Sequence, residues 1–190
     1  ICSIVEYSSR TAERQDKLST RFNHLTEIMG EAATWARLSG DSVITAQHIK
    51  KAIAEKEQRL KMYEEKLGEM LDEEVIMIDT QGSKVGQING LAVLDMGSYA
   101  FGNPSRITAT TYMGEAGIIN IEKEAQLSGQ THDKGIQILT GFLGQTYAQE
   151  FPLSLSCRVC FEQNYSGIDG DSASSTELYC ILSSLSEIPI

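Results

Sequence analysis

The chain has 190 residues, enough for one large or two small domains, and its mix of 41% hydrophobic and 22% charged residues is that of a globular protein. A net charge of −10 argues against sequence-independent binding to a nucleic-acid backbone, and no apolar run is long enough to span a membrane. The chain opens on Ile1 without a signal peptide and closes on Pro189-Ile190, so the expectation is a piece of a longer, cytoplasmic protein.

Residues 1 to about 67 carry helical periodicity and no proline. Ile1 to Lys17 is predicted as a first helix. Phe22, Leu25, Met29, Ala32 and Ala36 fall at steps of three and four and predict a second, stopped at Gly40. Val43-Ile44 reads as a short extended piece. Thr45 then caps a long helix with Ile49, Ile53, Lys56, Leu60, Tyr63 and Leu67 along one side.

Gly68 and the acidic run Asp72-Glu73-Glu74 mark a change of regime, after which glycines multiply and the period turns to two. Strands are predicted over Val75–Ile78, over Val85–Leu94 with an interruption at Asn89-Gly90, and over Ile107–Met113 and Ile118–Glu122. Gly114-Glu115-Ala116-Gly117 reads as the turn joining the last two. Thr131 or Asp133 can cap a helix running to about Gln149, with Ile136, Leu139, Phe142 and Leu143 inward. A strand over 153–162 follows. The last helix starts near Ser172 and buries Leu178, Ile181, Leu182 and Leu185. The fold class is α+β: a helical piece followed by an α/β piece.

The cysteines are Cys2, Cys157, Cys160 and Cys180. Cys157 and Cys160 form a C-x-x-C, but zinc needs a second pair and none exists. The alternation Leu153, Leu155, Cys157, Val159, Phe161 puts Cys157 inside and Cys160 outside a strand. Reduced thiols are the simpler reading, and no metal site is expected.

The chemistry concentrates in residues 166–176, Ser-Gly-Ile-Asp-Gly-Asp-Ser-Ala-Ser-Ser-Thr, between an apolar strand and an amphipathic helix. A serine there sits at the first turn of a helix, where unpaired N–H groups and the helix dipole can stabilise an oxyanion. The same pattern also serves plain capping by Asp171 or Ser172. A G-x-S-x-G elbow is absent. The histidines a triad would need are His24, His48 and His132; the first two read as structural or solvent-facing, and His132 as a surface residue at a helix start. No phosphate-binding loop is present.

Phe161-Glu162-Gln163-x-Tyr165, then Gly167-Ile168-Asp169-Gly170-Asp171-Ser172-Ala173-Ser174, closely resembles the nucleophile segment of Lon proteases, most of all bacterial relatives of the LonB branch without a membrane anchor. Val85-Gly86-Gln87-Ile88-Asn89-Gly90-Leu91-Ala92-Val93 is similar to that family's opening strands. Lys134-Gly135-Ile136-Gln137-Ile138-Leu139 is similar to the helix after its substrate-binding strand. Arg21-Phe22-x-x-Leu25, Glu31-Ala32, Ala36 and Ile44-Thr45-x-x-His48-Ile49-x-x-Ala52-Ile53 resemble the helical lid subdomain of AAA+ ATPases, which precedes the protease domain in Lon.

The resemblance implies a lid subdomain over 1–67 and a C-terminally truncated protease domain over 72–190. It implies an ATP-dependent serine endopeptidase with a Ser–Lys dyad, using ATP and Mg2+ in its ATPase module. Such an enzyme degrades unfolded or damaged polypeptides and works as a homo-oligomeric ring, with no membrane or nucleic-acid partner. Ser172 is then the nucleophile. Asp169 matches an acidic position that meets the lysine in some relatives, with a turn-forming role the alternative. Thr111, Tyr112, Met113 and Gly114 fall on the substrate-binding strand and turn. Arg21 is a candidate sensor of ATP phosphate, or a plain surface arginine. The family's lysine lies on a segment that would follow Pro189, and neither Lys123 nor Lys134 matches its motif, so the chain by itself is expected to be inactive. A non-catalytic assembly module or pseudoprotease is the alternative function.

Overall fold

The chain's computed structural model describes residues 1–97, 99–165 and 167–190. Ser166, the first residue of the serine-rich stretch, therefore lies outside the described residues. The chain divides into a helical unit, Ile1–Glu65, and a mixed α/β unit, Lys66–Ile190.

The first unit holds α1 (Cys2–Thr11), α2 (Phe22–Leu38) and α3 (Ala46–Leu60). Helix α1 stops six residues short of the expected Lys17, because Glu13 turns left-handed (φ 56°) and Ser19 N–H folds back onto Ser8 Oγ at 3.0 Å. Helix α2 ends as its glycine predicts: Gly40 has φ +79°, its N–H bonds Arg37 O, and Asp41 N–H reaches back to Ala36 O at 2.9 Å. Ile28 and Ala32 of α2 pack on Ile49 and Ala52 of α3, with Ile4, Tyr7 and Trp35 around them. Phe22 does not join them and is 70% exposed. Thr45 and His48 form a capping box at the start of α3, with Thr45 N–H donated to His48 Nδ1 at 3.2 Å. Residues 43–44 form no strand, although Ile44 packs on the core. The expected single helix through Leu67 breaks at Lys61, whose N–H turns to Gln58 O, and α4 (Met62–Asp72) follows.

The second unit is a four-stranded sheet of order β1-β2-β4-β3, made of β1 (Gln87–Asp95), β2 (Ala100–Met113), β3 (Gly117–Asn120) and β4 (Leu155–Phe161). Strands β1, β2 and β4 pair antiparallel, and β3 runs parallel to β4. Three helices complete it: α5 (Ile121–Glu124), α6 (Gln130–Tyr147) and α7 (Ser174–Ser186). One sheet face, with Ile107, Ala109, Cys157, Val159 and Phe161, packs on Leu139 and Leu143 of α6 and on Cys180 and Ile181 of α7.

Several expectations change here for identifiable reasons. Residues 75–78 form no strand; the Gln163 side chain serves their backbone instead, accepting from Met77 N–H at 2.8 Å and donating to Val75 O at 2.9 Å. Strand β1 runs unbroken through Asn89-Gly90, in register with Arg106 and Ser105, and the glycine there makes room for the Ile107 side chain. Strand β2 begins at Ala100, and Pro104 fits inside it opposite Leu91. Pro104's missing N–H faces the side where β4 has already ended at Phe161, opposite Ile107, so no ladder bond is lost. Gly114–Gly117 joins β2 to β3 without making a hairpin, since β4 lies between them. Strand β3 stops at Asn120, which caps α5 by accepting from Glu122 N–H at 3.1 Å. Phe142 is 46% exposed and Leu185 39% exposed, so both lie outside the buried stripes expected of them.

Candidate active site

Ser172 lies in a turn over residues 171–173, two residues before α7, and is exposed. Helix α7 starts at Ser174, with Ala173 as its N-cap residue and no side-chain cap bond. Asp171 serves the helix start through its main-chain oxygen, which accepts from Ser174 N–H at 3.2 Å. Ser172 stands just before a helix start that lacks a side-chain cap from its N-cap residue; the other first-turn N–H groups have no partner within the helix itself. Gly170, at φ +97°, makes the bend that brings the chain to this point.

The turn is fastened to the start of α6. One oxygen of Asp169 accepts from Thr131 N–H at 3.0 Å and from His132 N–H at 3.1 Å, capping α6 from 37 and 38 residues away. Neither Thr131 nor Asp133 caps α6; its N-cap residue is Gly129, and a side chain there would strike the Asp169 carboxyl group. Main-chain bonds run alongside, from Gly129 N–H to Ile168 O at 2.7 Å and from Ile168 N–H to Leu127 O at 2.8 Å. Further along α6, Gly135 leaves room for Ser174 Oγ and Asp171. The amides of Gly170, His132 and Thr131 hold the Asp169 carboxyl below its ordinary value. In this chain Asp169 is a carboxylate occupied by backbone donors, which gives the turn a mechanical role for it.

Beneath this turn lies a buried polar cluster. His132 and Glu177 are both 0% exposed, and His132 Nε2 is 2.9 Å from Glu177 Oε1. The expectation of a surface role for His132 is thus overturned: its side chain points into the α/β core, edge-on to Phe161. Nδ1 lies 3.3 Å from the Asn120 amide, and buried Glu122 accepts from Phe161 N–H at 2.7 Å. Burial works against a charged imidazole, but the hydrogen bond and charge of Glu177, followed by Glu122 and Asp133, outweigh it and raise His132 above its ordinary value. The signal was present in the sequence. His132 is four residues before buried Ile136, and Glu177 is four before buried Ile181, so both are in phase with the apolar stripes.

The other candidate residues are dispersed. Thr111 Oγ1 is 2.8 Å from Ser184 Oγ on α7, Tyr112 is half exposed and Met113 is 90% exposed. A side chain at Gly114 would meet Ser156. Strand β1 ends opposite Thr108, and Ala109 N–H bonds Gly86 O just beyond it. Thr111 and Met113 share the phase of Ala109, so their backbone groups face the side past the end of β1, where no strand follows among the described residues. That is a short open edge. Arg21 precedes α2 in the other unit and is exposed. Lys123 and Lys134 are also exposed.

Cys157 is fully buried and Cys160 half-buried, on opposite faces of β4, and burial pushes both thiols up to about 11. Thiols in such surroundings are poor nucleophiles and poor metal ligands. No cluster of three or more metal-ligating side chains occurs among the described residues. No helix among them is long and apolar enough to cross a membrane.

Comparison with known proteins agrees with this layout. Residues 1–59 match the domain family described as "Archaeal LonB, AAA+ ATPase LID domain". A putative Lon protease homolog of Escherichia coli (strain K12) is 33% identical over 165 residues, covering 86% of this chain and 28% of that protein. The chain is homologous to the Lon proteases. A putative Lon protease homolog of Haemophilus influenzae is 34% identical over 173 residues, again 28% of its length. An archaeal Lon protease of Pyrococcus abyssi is 27% identical over 206 residues, covering 98% of this chain and 18% of that protein. The chain thus spans little more than a quarter of the length of the bacterial relatives. The Lon homology accounts for a helical lid unit followed by an α/β unit.

Proposed function

We propose that this chain is the lid and the first part of the protease domain of an ATP-dependent serine endopeptidase acting on unfolded or damaged polypeptides. The observation that carries the reading is Ser172 itself: exposed, just before a helix start whose N-cap residue makes no side-chain bond, on a turn fastened by Asp169 to α6. Ser172 Oγ attacks the peptide carbonyl, and N–H groups at the start of α7 bind the resulting oxyanion. The general base is a lysine supplied by the longer protein outside these 190 residues, completing a Ser–Lys dyad. Asp169 positions the turn in this scheme and takes no proton. The substrate lies extended along the open edge at Thr111 and Met113, adding a strand to β2, with Tyr112 and Gly114 flanking it. Arg21 senses ATP phosphate in a nucleotide site that requires the rest of a Mg2+-dependent ATPase module. The working form is a homo-oligomeric ring in the cytoplasm.

In the full-length protein, Ser172→Ala is expected to abolish proteolysis of an unstructured substrate while ATP hydrolysis continues. Retained proteolysis contradicts the nucleophile assignment. The isolated chain is expected to cleave nothing, and cleavage by it would contradict the need for a lysine from elsewhere.

A further inference from the structure

We propose that His132 and Glu177 form a buried positioning pair that holds the Ser172 turn in its reactive place, joining the start of α6 to the first turns of α7. The proposal rests on the reading of Ser172 as nucleophile and adds a regulator of its geometry. Neither residue reaches solvent, so neither can touch a substrate. Their effect must pass through the elements they join.

Two routes lead from the pair to the turn. The main-chain N–H of His132 holds Asp169 Oδ1 at 3.1 Å, three residues before Ser172. The side chain of His132 holds Glu177 at 2.9 Å, five residues after it. One residue thus grips the nucleophile turn on both sides. The platform around it has the matching shape: Gly129 and Gly135 leave the space that Asp169, Asp171 and Ser174 occupy. If the pair served only as core filling, an apolar pair would fill the same volume at no desolvation cost. The groups facing the imidazole are Glu177 from α7, Asn120 and Glu122 from the β3–α5 junction and Asp133 from its own helix. Of these, Glu177 alone lies on the helix that follows Ser172.

The test uses His132→Ala, His132→Gln and the double apolar variant His132→Leu/Glu177→Met. Glutamine carries an N–H donor able to reach Glu177; alanine and the apolar pair do not. In the full-length protein, His132→Ala is expected to lower kcat for peptide hydrolysis about 100-fold with KM unchanged, the scale at which a reacting group misplaced by an ångström loses rate. His132→Gln should recover most of that loss. The double variant should fold yet stay impaired. Hydrogen exchange on the 190-residue chain reads the geometry without catalysis: amides of 168–175 should exchange faster in His132→Ala and in the double variant, and at the wild-type rate in His132→Gln.

Wild-type kcat and wild-type exchange in a folded His132→Ala protein overturn the proposal. If His132→Ala does not fold, the same result in the double variant overturns it. Should Ser172→Ala retain proteolysis, the nucleophile reading fails, while the exchange arm still decides whether the pair holds the turn.

Discussion

Two helix starts in this chain are each built around a buried histidine, and they are built in opposite ways. At α3 every part is local: Thr45 and His48 share a capping box, and His48 Nε2 pairs with Asp41 at 3.2 Å, seven residues away. At α6 the cap and the histidine's carboxylate partner are distant: Asp169 caps from 37 residues away, and His132 pairs with Glu177, 45 residues on. A local cap stabilises one helix end. A distant cap does that and also fixes whatever loop carries it, and here the loop carries Ser172. The second histidine is also the more committed, since Asp41 is 54% exposed while Glu177 is fully buried.

The comparison can be broken by substitution, beginning with the largest expected effect. Glu177→Ala strands the imidazole in the core and is expected to destabilise the second unit by about 3–5 kcal/mol, the usual consequence of removing one partner of a buried pair. Urea denaturation followed by a probe in that unit checks it; a change under 1 kcal/mol would mean the pair is not sealed from water. Asp169→Asn and Gly129→Ala should each lower the thermal midpoint of the same unit, the first by weakening the cap and the second by pushing the carboxyl group aside. Thr45→Ala removes the local cap and is expected to cost the first unit about 1 kcal/mol. Asp41→Ala should be the mildest, about 0–1 kcal/mol, because the carboxylate it removes is more than half exposed to solvent.

The pH dependence of stability sharpens the same contrast. Asp169's folded value is depressed, so its contribution is present above the unfolded carboxyl value and is lost as pH falls through the folded value. Asp169→Asn should flatten that acid limb. His132's folded value is raised, so its contribution is full below the ordinary histidine value and is lost as pH rises through the folded one. His132→Gln should remove that alkaline limb. Persistence of either limb in its variant would assign the titration to another group.

The helix ends show why some of the molecule was legible in the sequence and some was not. Gly40, Thr45 and the buried Ala32 and Ala36 of the α2 stripe act within a few residues of themselves, so pattern and capping chemistry reach them, although fully buried Ile28 lies outside the expected stripe. Ile181, with Leu178 and Leu182 packed beside it, and the inward phase of Cys157 are legible for the same reason, whereas the burial of Cys180 is not part of the expected stripe. What escaped was set by partners far along the chain. Gln163 replaces a strand at 75–78, Pro104 depends on where β4 ends, and α6 takes its cap from Asp169 instead of Thr131 or Asp133. The surface expectation for His132 fails because a polar residue at a helix start ordinarily faces water, whereas its phase with Ile136 points inward. The resemblance singles out Ser172, whereas the pairing of His132 with Glu177 depends on how α6 and α7 pack.

The most direct measurement is covalent labelling of the full-length protein with a serine-reactive fluorophosphonate, followed by peptide mapping. The account predicts one dominant adduct, on Ser172, absent from Ser172→Ala and slowed in His132→Ala. An adduct on a different serine, in a protein whose Ser172→Ala variant still degrades its substrate, would contradict it.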